Sequence, residues 1–198
     1  LRVRAELTAG ETVAVFGCGG VGLSTIMIAR AVGAQVIAVD VSQPALARAR
    51  DLGASRTVDA RDLSPQDLAA EVVAQFAADC PDGVAVTVDA LGRQDTITSA
   101  IASLAPLGRH VQIGLLDGEP VVDVPRVIAR ELSILGSHGM AAAEYPELVD
   151  LVTAGGLRPQ DLVADVIDLD EAPQAMLAMD DPSRQSAGMT IIDLGRGR

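Results

Sequence analysis

The sequence has no lysine and no tryptophan, and its only aromatic residues are Phe16, Phe76 and Tyr145. All 15 of its cations are arginine, set against 27 Asp and Glu, for a formal net charge of −12. A surface so acidic repels phosphate, so neither nucleic acid nor an anionic membrane is an expected partner. Two cysteines, Cys18 and Cys80, cannot make a disulfide framework or a four-ligand zinc site, and a reducing cytoplasmic setting is expected. No uninterrupted apolar run reaches about 18 residues, so no membrane-spanning helix is expected. There is no signal- or transit-peptide pattern, and the chain begins at Leu1. With 49% hydrophobic residues, it reads as a domain cut from a larger protein, whose former interface adds apolar surface.

What is present is a rhythm of short apolar runs and longer helical patterns. Thr12–Phe16 and Gln35–Asp40 read as strands, with a helix over Gly20–Val32 between them that stops at Gly33. A helix over 44–52 and a short strand over Arg56–Asp59 follow. Ser64-Pro65-Gln66-Asp67 has the pattern of a helix N-terminus, and Leu68, Val72 and Phe76 then share one helix face. A strand is expected over 84–90. The next helix face is marked by Ile97, Ile101 and Leu104, and Pro106 stops it. Strands over 110–114 and 131–136 complete six. This alternation predicts the α/β class, as a doubly wound, six-stranded parallel sheet of the Rossmann type over 1–139. Beyond Gly139 the rhythm changes. A helix carrying Tyr145, Leu148 and Val152, a strand over 162–169, a helix over 170–179 and a strand over 189–194 read as an α+β return segment over 140–198 that packs elsewhere.

Gly17-Cys18-Gly19-Gly20-Val21-Gly22 fits G-x-G-x-x-G, directly after a strand and opening a helix. Gly17 suits the tight turn, Gly19 leaves room for a pyrophosphate, and Gly22 lets helix and sheet approach. N–H groups near Gly20 and Val21, with the helix dipole, would hold the anion. Asp40 ends the second strand, 18 residues beyond Gly22, where a carboxylate can accept from both hydroxyls of an adenosine ribose. No cation stands among Val41, Ser42 and Gln43 to take a 2′-phosphate, so NAD is expected over NADP. The plainer reading of Asp40 is a cap for the next turn. Topology adds further cofactor-binding candidates: Val41 and Leu91 against the adenine, Ala90, Leu91 and Gly92 as the end of strand four, Ile113, Gly114 and Leu115 as the end of strand five, and Ser137 and His138 as the end of strand six. Loop packing is the alternative for each.

These residues carry a family resemblance. The runs TAGETVAVFGCGGVGLSTIMIARAVGAQVIAVDVS, VDALGRQDTITSAIASLAPLGRHVQIGLL and ELSILGSHGM resemble the cofactor domain of the zinc-dependent medium-chain alcohol dehydrogenases. The resemblance implies hydride transfer between an alcohol and NAD, giving an aldehyde or ketone, with zinc polarising the alcohol in the whole enzyme. It implies that the residues after about Gly139 return to a catalytic domain, and that two copies pair through the strand over 131–136. Two departures stand out. Ala45 occupies a position where the family usually has Lys or Arg. The family's zinc ligands and proton relay have no counterpart here, so no catalytic or metal residue is expected, and the chain by itself is expected to bind NAD without turning over alcohol.

The remaining chemistry-bearing residues are weaker candidates. Cys18 sits at a helix start that can depress a thiol pKa, but small residues are simply tolerated at that motif position. Cys80 precedes a turn. His110 reads as structural. His138 lies at the expected nicotinamide end, where backbone contacts are the expected role and a proton-shuttling imidazole is the alternative. Asp165, Asp168, Asp170, Asp180 and Asp181 cluster in sequence with no metal-ligand spacing. Two other functions share the glycine loop and the acid. One is a stand-alone NAD(H)-binding or redox-sensing module. The other is a methyltransferase, which calls for a reversed last strand.

Overall fold

The computed structural model describes residues 1, 3–78, 80–179 and 187–195. Eight strands, seven α-helices and two short 3-10 helices form among them. β1 (Thr12–Phe16), β2 (Gln35–Asp40), β3 (Arg56–Asp59), β4 (Val84–Asp89), β5 (Leu104–Gln112) and β6 (Ser133–Gly136) make one sheet in the order β3-β2-β1-β4-β5-β6. Every pairing in it is parallel, β6 included, so the reversed last strand of a methyltransferase is not found. The continuous apolar runs arise from this arrangement. β1 is buried at all five positions because helices cover both faces of the sheet.

α1 (Gly20–Val32) and α2 (Gln43–Asp51) cover one face, packing Leu23, Ile26 and Leu46 onto Val13, Val15 and Val36. α3 (Pro65–Ala74) and α4 (Gln94–Ala102) cover the other, where Leu68, Val72, Ile97 and Ile101 meet Phe16 and Ile37. Each fully buried large side chain of this kind contributes about 1.5–3 kcal/mol relative to exposure. Helix starts follow their side chains. The Ser42 hydroxyl accepts from Ala45 N–H at 3.4 Å and the Ser64 hydroxyl from Asp67 N–H at 3.2 Å.

Several boundaries differ from the sequence expectation. Leu104 is not on the helix of Ile97 and Ile101. α4 ends at Ala102, and Leu104 opens β5, although it is buried in the same layer as those two. Helix-like spacing therefore reflected a shared destination and not a shared element. β5 starts earlier than expected, at Leu104, and its register against β4 shifts between the pairs Val84/Leu104 and Val86/Arg109, a stretch of β5 that includes Leu107 at φ +62°. A short helix, α5 (Val124–Ala129), forms before β6, its first turn capped by Asp123, which accepts from Arg126 N–H at 3.0 Å.

Past β6, α6 (Tyr145–Thr153), β7 (Val163–Ile167), α7 (Ala172–Ala178) and β8 (Met189–Ile192) follow. β7 and β8 pair in parallel in a separate sheet, so the strand–helix–strand alternation does recur here, outside the main sheet. This segment is anchored on the α1/α2 face. Leu157 and Leu162 are buried in that layer, and the Arg48 guanidinium donates to the Asp161 carbonyl.

Candidate functional site

β1 lies where the strand order reverses, between β2 and β4. In an open parallel sheet that reversal opens a crevice at the carboxyl ends of the strands, and the glycine loop sits there. Gly17 has φ +93° and donates its N–H to the Val39 carbonyl at 2.8 Å. A Cβ on Gly17 would lie 2.5 Å from Leu91 Cγ, so Leu91 closes over the turn. A Cβ on Gly22 would overlap the Gly17 carbonyl, which fixes glycine there by contact alone. Around Gly19, by contrast, there is open space. Gly19 is the extended N-cap of α1 and its carbonyl accepts from Leu23 N–H at 2.8 Å. The first N–H groups of α1 have no partner within the helix, which starts directly at this loop.

Asp40 is built into this loop. Its Oδ2 accepts from Cys18 N–H at 2.7 Å and its Oδ1 from Ser42 N–H at 2.8 Å. The carboxylate thus caps two turns, as the plainer reading required. Each oxygen also keeps a lone pair for a further donor. Val41 and Leu91 are both exposed, at 59% and 48%, on the loops after β2 and β4.

The loops after β4 and β5 are fixed by a residue the sequence reading passed over. Asp89, the last residue of β4, is completely buried. Its Oδ1 accepts from the N–H groups of Leu91 at 2.8 Å and Gly92 at 3.0 Å. Its Oδ2 accepts from the Thr96 hydroxyl at 3.0 Å and the Gln112 amide at 3.1 Å. Its carbonyl accepts from Ile113 N–H at 3.0 Å and Gly114 N–H at 2.9 Å. Gly92 and Gly114 touch backbone to backbone with no room for a Cβ on either. Ala90 to Gly92 and Ile113 to Leu115 therefore lie in loops just past the strands and not in strand ends. The signal was a lone carboxylate closing an apolar strand, which has to be satisfied from within.

Gln112 also donates to the Gly114 carbonyl at 2.7 Å, which leaves its oxygen for His110 Nε2 at 3.0 Å. His110 Nδ1 then accepts from the Thr87 hydroxyl at 2.9 Å, which assigns the neutral Nε2–H tautomer. Burial pushes the His110 pKa below its ordinary value, and the Gln112 hydrogen bond and the Asp89 charge only partly oppose this. His110 is structural, as expected, but it lies well inside β5. Ser137 follows β6 and donates its N–H to the Gln112 carbonyl at 2.9 Å; His138 beside it is exposed.

Cys18 does not have a depressed pKa. Its thiol is buried beside Asp40, and desolvation, followed by that charge, pushes it far upward. Of the five aspartates that cluster in the tail sequence, Asp180 and Asp181 lie outside the described residues. Among the described residues no group of three or more His, Cys, Asp or Glu can hold a metal ion, so the described residues do not fit a zinc site. A cavity of about 610 Å³ lined by Gly10, Thr12, Cys80 and Arg109 opens at the amino ends of the strands, opposite the glycine loop.

Comparison with known proteins agrees with this geometry. Probable D-xylulose reductase A of Aspergillus terreus is 32% identical over 173 residues, which cover 87% of this chain and 48% of that protein. The chain thus spans about half the length of the curated relatives it matches. The alcohol dehydrogenase of the archaeon Aeropyrum pernix superimposes with a TM-score of 0.81 at 30% identity, over 97% of this chain and 53% of that one. The 2R,3R-butanediol dehydrogenase of Bacillus subtilis does so with a TM-score of 0.79 at 27% identity, over 93% and 51%. Residues 20–154 match the family described as zinc-binding dehydrogenase. This chain belongs to the zinc-binding dehydrogenase family.

Proposed function

We propose that this chain is the NAD(H)-binding portion of an alcohol dehydrogenase that moves hydride between an alcohol and NAD. The observation that carries the reading is Asp40, a carboxylate fixed by Cys18 and Ser42 N–H groups beside an open glycine turn. Gly17, Gly19, Gly20, Val21 and Gly22 would hold the diphosphate through main-chain N–H groups, and Asp40 the adenosine ribose. Val41 and Leu91 would flank the adenine. The loops of Ala90 to Gly92 and Ile113 to Leu115, with Ser137 and His138, would line the nicotinamide side and fix the ring's orientation. The chemistry supplied there by the cofactor is hydride exchange at the nicotinamide C4. No step is assigned to zinc, whose ligands would have to come from residues other than those described.

The division into a cofactor domain over 1–139 and a segment over 140–198 that packs on a catalytic domain belongs to the same reading. The main sheet's end at Gly136 supports it, as do the exposed apolar side chains of Leu169, Met176, Leu177 and Leu194. Pairing of two copies through β6 is supported by its position at a sheet edge and by half-exposed Ile134. A monomer by light scattering at micromolar concentration would count against it. A cytoplasmic setting is supported by two free cysteines. No described helix is long and apolar enough to cross a membrane.

Titration calorimetry with NADH, NADPH and S-adenosylmethionine tests the proposal. NADH should bind at least about tenfold tighter than NADPH, a difference of about 1.4 kcal/mol, and Asp40→Ala should remove that preference. Absence of NADH binding, or binding of S-adenosylmethionine instead, refutes it. Steady alcohol oxidation by the metal-stripped chain would refute the expectation that it does not turn over alone.

A further inference from the structure

β2 and β3 run in parallel, and their register sets Asp40 directly beside Asp59 at the carboxyl ends. Both side chains therefore leave the same face of the sheet at neighbouring strands, about 4.8 Å apart along the hydrogen-bonding direction. No cation occurs from Val41 to Ala47, and the next one, Arg48, is turned to the Asp161 carbonyl. The cation at this rim is Arg61, on the loop after β3. Asp59 holds it closely. Its Oδ1 accepts from the Arg61 main-chain N–H at 3.1 Å and from Nε at 3.0 Å, and its Oδ2 from Nη2 at 2.5 Å. Gln43, three residues past Asp40, completes the clasp by donating to Asp59 Oδ2 at 2.7 Å. The arginine's hydrogen bonds hold the Asp59 carboxyl well below the usual carboxylate range, so the clasp stays charged throughout the neutral range.

We infer that Asp59 is a second specificity-determining residue, a positioning residue that keeps Arg61 folded back and so denies that cation to a 2′-phosphorylated ribose. This deepens the proposed NAD reading and rests on it. A guanidinium free to form a fork with phosphate is among the strongest recognition groups for such a ligand. Here the fork is spent on Asp59, and a 2′-phosphate would instead meet the Asp40 carboxylate with no compensating charge. Removing Asp40 alone therefore leaves the rim without an attractive group. Arg61 is 58% exposed and Asp59 32%, so the clasp can be released without disturbing the core.

The test uses ADP-ribose and its 2′-phosphorylated form as calorimetric probes, at low salt, on the unaltered chain and on Asp59→Asn, Asp59→Asn/Arg61→Ala and Asp59→Glu. Asp59→Asn should raise the affinity for the 2′-phosphorylated probe relative to ADP-ribose by about tenfold, equal to about 1.4 kcal/mol. The gain should vanish in the double variant, and Asp59→Glu should keep the original ratio. A gain that persists without Arg61 overturns the inference, because simple loss of negative charge would then account for it. An unchanged ratio in Asp59→Asn overturns it while leaving the NAD reading intact, provided ADP-ribose still binds. If the unaltered chain fails to bind ADP-ribose, the NAD reading falls and takes this inference with it.

Discussion

Asp89→Asn preserves shape and removes one charge at the point where the loops after β4 and β5 are tied together. The carboxylate accepts four hydrogen bonds, two at each oxygen. An amide turned with its NH₂ toward Leu91 and Gly92 strands two main-chain N–H groups that cannot rotate away. Turned toward Thr96 and Gln112, it strands only the Gln112 amide, since the Thr96 hydroxyl can swing round and accept. The second orientation costs less. A stranded buried donor costs about 1–3 kcal/mol, and the two bonds that remain lose their charge assistance, which roughly doubled their strength. The sum is about 3–4 kcal/mol, within the range for breaking buried charged networks. In a domain of this size each kcal/mol moves Tm by about 2–4 °C, so Tm should fall by about 6–16 °C. Without tryptophan, urea unfolding is best followed by far-UV circular dichroism, and the midpoint should drop with an unchanged slope. A loss below about 1 kcal/mol would refute the claim that Asp89 fixes these loops.

Two further outcomes follow from buried titratable groups. Because burial holds His110 below its ordinary pKa, the unfolded chain binds its proton first, so stability should decline as pH falls below about 6.5, by at most about 1.4 kcal/mol per pH unit. His110→Gln should flatten that part of the curve in urea midpoints taken from pH 8 to 5.5, and an unchanged slope would contradict the linkage. Cys18 is buried with a raised pKa whereas Cys80 is half-buried, so an aromatic disulfide reagent should modify Cys80 first in the native protein and reach Cys18 only on unfolding. Equal rates for the two would refute this.

The parts of the site that were legible in the sequence are those specified over short distances along the chain. The glycine turn, its helix and the acid closing β2 are each written in consecutive residues, and the structure brings them together in the crevice. The Asp89 assembly was only partly legible: Leu91, Gly92 and Thr96 follow it closely along the chain, but Gln112 reaches it only because β5 lies beside β4. The same limit explains Leu104. Apolar spacing reports which layer a residue reaches, and it reads the same whether the residue arrives there on α4 or at the start of β5. The bond from Gln43 to Asp59 likewise depends on the β2/β3 register, a property that neither strand carries alone.

The anchoring of Leu157, Leu162 and Arg48 has a practical consequence for where this chain can be cut. The family match ends at residue 154, and the main sheet is complete well before it, so that boundary invites truncation. Trimming there would strip two aliphatic plugs from the outer side of α1 and α2 and leave bare the layer they seal. A minimal cofactor-binding fragment should therefore run at least through Leu162, and one stopped at 154 should be recovered as an aggregating, loosely folded product.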